Sequence, residues 1–396
     1  MAERRPLKIG LVGATTGFIA QAHHRAILMD GTRRVAATAL SSDPAKALDG
    51  AANWPYPVEA YKSYDAMLAG EIRKPKDERI DYVLIVTPNR AHFDPARKFL
   101  EVGIPVFCEK PLTITSQESE ILCALVDAER IPFGVAHTYI GHWTSWLARH
   151  IVGSGLLGNI RWVDASYLQA WVAVRSGQPG FKENTWRINP NVSGISNCGG
   201  DIGTHALMQL RFVTGLDVRK VSAYLETFIP VNDTETGHLD DHFTAYCELD
   251  GGAKGLVRAS QIAVGHKNDL RLEVNGDKGS LRWDQEESDK LSVYPLGQPE
   301  RTYYRGLVAE NDGFLEDLPK ELLQASILPP GHREGLHDAF ARLHRAFEAD
   351  VRAWQAGNYT CADGSRYATV KDGLAGIRFV EKAVESNRND HCWVNV

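Results

Sequence analysis

The stretch Leu7-Lys8-Ile9-Gly10-Leu11-Val12-Gly13-Ala14-Thr15-Thr16-Gly17-Phe18-Ile19 decides how the first third of the chain is built. Residues 7–12 are a short apolar run that ends at Gly13, and residues 17–29 read as a helix. A strand running through a glycine turn into a helix is the setting of a pyrophosphate-binding turn. Glycine lets the backbone approach the phosphates, and the helix N-terminus offers N–H groups. The spacing departs from G-x-G-x-x-G, because Thr15 stands where the second glycine would fall and the next glycine is Gly17. Taken alone, such a turn also fits an unrelated α/β fold. In the nucleotide-binding reading the contacts come from Gly13, Thr15, Thr16, Gly17, Phe18 and Ile19.

Outward from this turn, strand and helix patterns alternate. Residues 34–40 form a second strand, and residues 62–68 hold the tail of a helical segment with Ser63 as its N-cap. Tyr82-Val83-Leu84-Ile85-Val86-Thr87 is a continuous apolar strand, the kind buried on both faces of a parallel sheet. Residues 93–102 are helical and close at Gly103; 106–109 form a strand, 115–129 a helix and 132–137 a further strand. This order predicts a doubly wound parallel sheet.

The texture changes after Tyr139. A helix over 146–152 is followed by strand-like stretches at 160–171, 218–228, 241–249, 253–263, 269–276 and 279–283. Several alternate apolar and polar residues, as in Leu270-Arg271-Leu272-Glu273-Val274, which marks half-exposed antiparallel strands. Asn275-Gly276-Asp277-Lys278-Gly279 is a hairpin turn. The second half is therefore expected to be an open, mostly antiparallel sheet, one face of it solvated or paired with another subunit. Residues 284–309 read as polar and turn-rich, and 337–356 and 371–387 as amphipathic helices.

Composition narrows the function classes. The chain has 396 residues, 43% hydrophobic and 24% charged, with a net charge of −6 and no basic block. Nucleic acid is not expected as a partner, because phosphate binding needs clustered positive charge. Six scattered cysteines without a CxxC pair suit reduced thiols rather than a disulfide framework or zinc site. There is no signal-peptide apolar region and no apolar run near the ~20 residues that a membrane helix needs, so the expected compartment is the cytoplasm.

Four short segments carry chemistry. The second strand ends Ala39-Leu40-Ser41-Ser42-Asp43-Pro44, where a carboxylate would bond the ribose of NAD and small polar residues with an Arg would accept the phosphate of NADP. Ser41 and Ser42 occupy that place; Asp43 serves either the ribose or the cap of the next helix. Thr87-Pro88-Asn89-Arg90-Ala91-His92 follows the buried strand, at the edge that borders a cofactor crevice. There His92 faces the site or packs as a structural histidine. Glu109-Lys110-Pro111 ends another strand, where Lys110 can hydrogen-bond a reacting oxygen or remain solvated. In Gly199-Gly200-Asp201-Ile202-Gly203-Thr204-His205, Asp201 and His205 share a helix face if Gly203 does not break the turn. His205 is either the natural acid/base near neutral pH or a buried, satisfied histidine, and Asp201 a cap, a substrate ligand or both. One Asp and one His are too few for a metal site, so none is expected.

Together these motifs resemble the Gfo/Idh/MocA family of oxidoreductases. The resemblance rests on the glycine turn, Thr87 to His92, Glu109-Lys110-Pro111, and Gly199 to His205. It implies an NAD(P)-binding Rossmann domain over 1–137 and a substrate-binding and oligomerisation α/β domain over 138–396, whose C-terminal helices can pack back on the first. It further implies NAD, or NADP, as cofactor and a homodimer or homotetramer formed through the open sheet. Cofactor contacts would include Ser41, Ser42, Thr87, Pro88, Asn89, His92, Glu109 and Lys110. Carried over residue by residue, Lys110 contacts the reacting hydroxyl, His205 is the acid/base and Asp201 orients the substrate or the histidine. Tyr139, Trp186 and Arg187 are expected sugar contacts. The implied reaction is hydride transfer between a ring hydroxyl carbon of a polyol, sugar or glycoside and nicotinamide. Its rivals are an enzyme that retains its cofactor or makes a 3-keto sugar, and a nucleotide-binding sensor without turnover.

Overall fold

The structure, a computed structural model, describes residues 5–13, 17–178, 186, 189–230, 239–307, 314–315, 318–364 and 366–396. It divides into two compact units, residues 1–138 with 336–374 and residues 139–335 with 375–396. Among the described residues no helix is long and apolar enough to cross a membrane.

The first unit alternates β1 (Leu7–Gly13), α1 (Phe18–Leu28), β2 (Arg33–Ala39), α2 (Pro44–Ala52), β3 (Glu59–Ala60), α3 (Tyr64–Glu71), β4 (Tyr82–Val86), α4 (Phe93–Glu101), β5 (Val106–Glu109), α5 (Ser116–Glu129) and β6 (Phe133–Ala136). Its sheet runs β3-β2-β1-β4-β5-β6, all parallel, and a two-residue strand, Ala368–Thr369, adds antiparallel to β6. This is the strand order of a dinucleotide-binding sheet, with its switch point between β1 and β4. Tyr82, Val83, Leu84 and Ile85 of β4 are all fully buried, which is why that segment reads as an unbroken apolar run. Local caps start the helices: the Asp43 carboxylate accepts from the Ala45 and Lys46 amides, and Ser63 Oγ from the Ala66 amide. The helix Leu336–Gln355 belongs to this unit. It buries Phe340, Leu343, Phe347 and Val351, and Phe347 stacks on Phe107 with ring centroids 5.0 Å apart.

The second unit contains α6 (Trp143–Gly153), β7 (Ile160–Leu168), α7 (Thr204–Thr214), β8 (Val218–Glu226), β9 (His242–Leu249), β10 (Lys254–Ser260), β11 (Asp269–Gly276), β12 (Gly279–Asp284), β13 (Lys290–Pro295) and β14 (Arg301–Tyr304). The sheet order is β14-β13-β12-β11-β7-β10-β9-β8, with Val394–Asn395 beyond β8. Among the described residues only β7 and β10 of this sheet pair in parallel. The register places Val163, Ala165 and Tyr167 of β7 on the face that α7 covers, together with Leu270, Leu272 and Val274 of β11. The opposite face carries Trp162, Tyr224 and Tyr246, 37%, 44% and 54% exposed.

Two readings of this half are corrected. The strand expected over 160–171 ends at Leu168, and a short helix, Trp171–Arg175, follows. The segment 284–309, expected to be turns, contains β13 and β14. There Leu291, Val293 and Pro295 are buried while Lys290, Ser292 and Tyr294 are half-exposed, a period of two.

Candidate active site

In the first unit the glycine turn is built for a close approach. Gly13 has φ of +83°, and a Cβ there would lie 2.4 Å from the main-chain oxygen of Val86 on the neighbouring strand. Gly17 has φ of +126° and open space around it. α1 begins with no side-chain cap among the described residues and no acid in its first turn. Its N–H groups and positive end thus suit the pyrophosphate of a dinucleotide. Phe18 is exposed and Ile19 half-buried; Thr15 and Thr16 lie outside the described residues. At the end of β2, Ser41 Oγ accepts from the Asp43 amide at 3.1 Å, and Asp43 spends its carboxylate on the cap of α2.

The Thr87 and Lys110 loops are tied together. Thr87 Oγ1 donates to the Ala91 carbonyl at 3.0 Å, Pro88 is exposed and Asn89 buried. His92 is fully buried, with one ring nitrogen 2.8 Å from the Pro111 carbonyl and the other 2.8 Å from the Thr87 carbonyl. Lys110 is half-buried at the end of β5, and its bond to Pro111 is cis. Beneath it, Glu109 accepts from the Lys110 amide at 3.0 Å and lies 2.8 Å from His23 Nε2. His23 Nδ1 lies 2.9 Å from His344 Nε2. His344 Nδ1 has no partner among the described residues. Burial holds His344 well below the ordinary imidazole range, in keeping with a neutral ring. The sequence reading passed over both histidines.

In the second unit, Gly199–Gly203 forms one π-helical turn that runs straight into α7. Gly203 is helical (φ −61°, ψ −36°) and does not break the chain of turns. Gly199 is required by packing: a Cβ would lie 2.6 Å from the Phe243 ring. Asp201 is half-buried, and His205 is 7% exposed. The His205 ring meets the edges of Tyr139 and Tyr167, at centroid distances of 4.9 and 5.9 Å. Around those rings the polar groups close on one another. The Tyr139 and Tyr167 hydroxyls are 2.6 Å apart, and Asn268 Nδ2 donates to the Tyr139 oxygen at 3.1 Å. The Tyr167 hydroxyl donates to Asn268 Oδ1, and Gln169 Nε2 donates to the same Oδ1 at 2.9 Å and to the Tyr167 oxygen at 3.1 Å. The sequence reading named Tyr139 and missed Tyr167, Gln169 and Asn268. Trp186 is half-buried, and Arg187 lies outside the described residues.

A carboxylate holds the turn in place. Asp240 is buried and accepts from Ser196 Oγ at 3.0 Å, the Asn197 amide at 2.9 Å and the Gly199 amide at 3.0 Å. Burial outweighs these bonds and pushes its carboxyl from an ordinary 3.8 up to about 6. The folded state thus binds a proton that the unfolded state has already lost between those values. Stability is therefore lost as pH rises through this window, by on the order of 3 kcal/mol. Urea unfolding of the wild type and Asp240→Asn should show it: the wild type loses about that much relative to the variant between pH 4 and 7. A constant difference would remove Asp240 as the source.

The comparisons agree with this architecture. Residues 7–137 match the oxidoreductase family with an NAD-binding Rossmann fold, and residues 146–282 match the Gfo/Idh/MocA C-terminal domain. The crystal structure of an inositol dehydrogenase homologue with NADH and myo-inositol, from Azotobacter vinelandii, superposes with a TM-score of 0.87 at 28% identity, over 99% of this chain and 98% of that one. An oxidoreductase from Sinorhizobium meliloti superposes with a TM-score of 0.82 at 31% identity, over 99% of this chain and 100% of that one. A levoglucosan dehydrogenase from Pseudarthrobacter phenanthrenivorans is 30% identical over 58% of this chain and 62% of its own length. The chain belongs to the Gfo/Idh/MocA family and is an NAD-binding oxidoreductase.

Proposed function

We propose that the protein oxidises a ring hydroxyl of a polyol, sugar or glycoside. The cluster around His205 carries this reading, since the rings of Tyr139 and Tyr167 flank a buried imidazole and their hydroxyls bond to Gln169 and Asn268. Such groups bind cyclic polyols, and the named relatives include proteins of inositol and levoglucosan chemistry. NAD, held at Gly13, Gly17 and the start of α1, supplies the hydride acceptor. His205 takes the hydroxyl proton as the carbon becomes a carbonyl. Lys110 stabilises the developing alkoxide, and Asp201 orients the substrate. The exposed face with Trp162, Tyr224 and Tyr246 supports assembly into a dimer or tetramer; light scattering that reports a monomer would overturn that part.

Absorbance of reduced nicotinamide tests the reaction. Purified protein is given NAD and NADP separately, against inositols, free aldoses and glycosides including levoglucosan. The expected result is an NAD-dependent signal with one cyclic polyol or pyranoside class, lost in Lys110→Ala. Silence across the panel from folded protein would overturn the reading.

A further inference from the structure

Gln261 follows β10 directly and is fully buried. Its orientation can be worked out from one unambiguous atom. The main-chain oxygen of Asp240 can only accept, and it lies 3.2 Å from one end of the Asn197 amide. That end is therefore the nitrogen, Nδ2. The same Nδ2 is 2.6 Å from the Gln261 amide, so Gln261 turns its oxygen, Oε1, towards Asn197. Its nitrogen, Nε2, then faces Asp201 and lies 3.1 Å from Oδ2. Neither amide can be flipped without setting donor against donor or acceptor against acceptor. Asn197 is itself held by the Asp240 carboxylate through its main-chain amide, and its carbonyl accepts from the Asp201 amide at 2.8 Å.

We propose that Gln261 is a positioning residue for Asp201: clamped by Asn197, it presents an N–H that keeps this carboxylate ionised and in one orientation. The proposal rests on the reading of Asp201 as a site residue and adds a donor that favours its charged form and holds its direction. A hydrogen bond donated to a carboxylate favours its ionised form. Among the described residues, the titratable groups of this neighbourhood include Tyr167 and Cys198, both raised well above their ordinary values by burial with Asp201 contributing, and Asp240, Asp241 and, one turn on, His205.

The titration of Asp201 reads this directly. Protein labelled with ¹³C at the aspartate carboxyl carbons is titrated by NMR, with Asp201→Asn assigning the signal. Gln261→Glu keeps the shape, and its carboxylate can still accept from Asn197, but it faces Asp201 with a second acceptor, so the two must share a proton. The Asp201 midpoint is expected to rise by about one pH unit or more. Gln261→Met, which removes the donor without adding charge, should raise it by a smaller amount; it keeps the test open if the glutamate variant does not fold. An unmoved midpoint in a folded variant would overturn the proposal. Full turnover by Asp201→Asn in the nicotinamide assay would overturn the site reading and this inference with it. Loss of turnover in Asp201→Asn with unmoved midpoints would overturn this inference alone.

Discussion

His205→Asn lowers turnover by roughly 10²–10⁴-fold, the usual worth of a positioned general base, while NAD affinity and the melting temperature stay near the wild type. The expectation follows from where the ring sits. His205 lies on the first turn of α7, is 7% exposed, and is held between the edges of Tyr139 and Tyr167. A histidine exchanges a proton near neutral pH, and asparagine in the same place can hydrogen-bond but cannot take the proton. The nucleotide turn at Gly13 belongs to the other unit of the fold, so nucleotide binding should not follow the loss. Calorimetric titration with NAD, beside kcat and KM for the polyol that the panel identifies, separates the two. Turnover within tenfold of the wild type, in folded protein, would withdraw His205 from the chemistry. A matching loss of NAD affinity would point to a disturbed fold rather than a lost base.

The first unit was legible because its physics is local. A parallel strand buried on both faces must be apolar throughout, so β4 and β5 stand out as unbroken runs, and caps such as Ser63 announce their helices. The sequence allows Asp43 two uses, and the structure has it capping α2. The second unit was harder because antiparallel strands need only every other residue to be apolar. β13 sets Leu291 and Val293 between Lys290, Ser292 and Tyr294, close to the acidic run at Glu286 and Glu287, and its sequence reads as turns. The motif that carries Asp201 and His205 was visible, but its π-helical turn was not, since that depends on Gly199 lying against Phe243 from a strand more than forty residues later. The polar cluster beside His205 was hidden for the same reason. Tyr167 and Gln169 sit at the end of β7, and Asn268 just before β11. Only the pairing of those two strands brings them together. Gln261 offers no motif at all; its meaning comes from the hydrogen-bond order of Asn197 and Asp240.

Gly13→Ala should destabilise the protein by about 2–5 kcal/mol and weaken NAD binding more than tenfold, and two separate costs add to give this. The backbone there has φ of +83°, where an L side chain carries about 1–2 kcal/mol of strain. The new Cβ would also lie 2.4 Å from the Val86 oxygen and 2.6 Å from Thr87 Cγ2. The first of these is main chain in the register of β1 with β4, so relief requires the two central strands to part, and overpacking of that kind costs about 1–3 kcal/mol. Those strands flank the switch point at which a dinucleotide binds, so the shift reaches the cofactor as well as the core. Gly17→Ala is the matched control. Its φ is +126° and its ψ 155°, a region nearly confined to glycine, but nothing lies within 4 Å of its Cβ. It should cost backbone strain alone, about 1–3 kcal/mol. Thermal unfolding and NAD calorimetry on both variants decide the matter. Gly13→Ala falling well below Gly17→Ala in thermal unfolding assigns the difference to the close approach of β1 and β4. Equal losses would mean that conformation alone, and not that approach, dictates glycine at the turn.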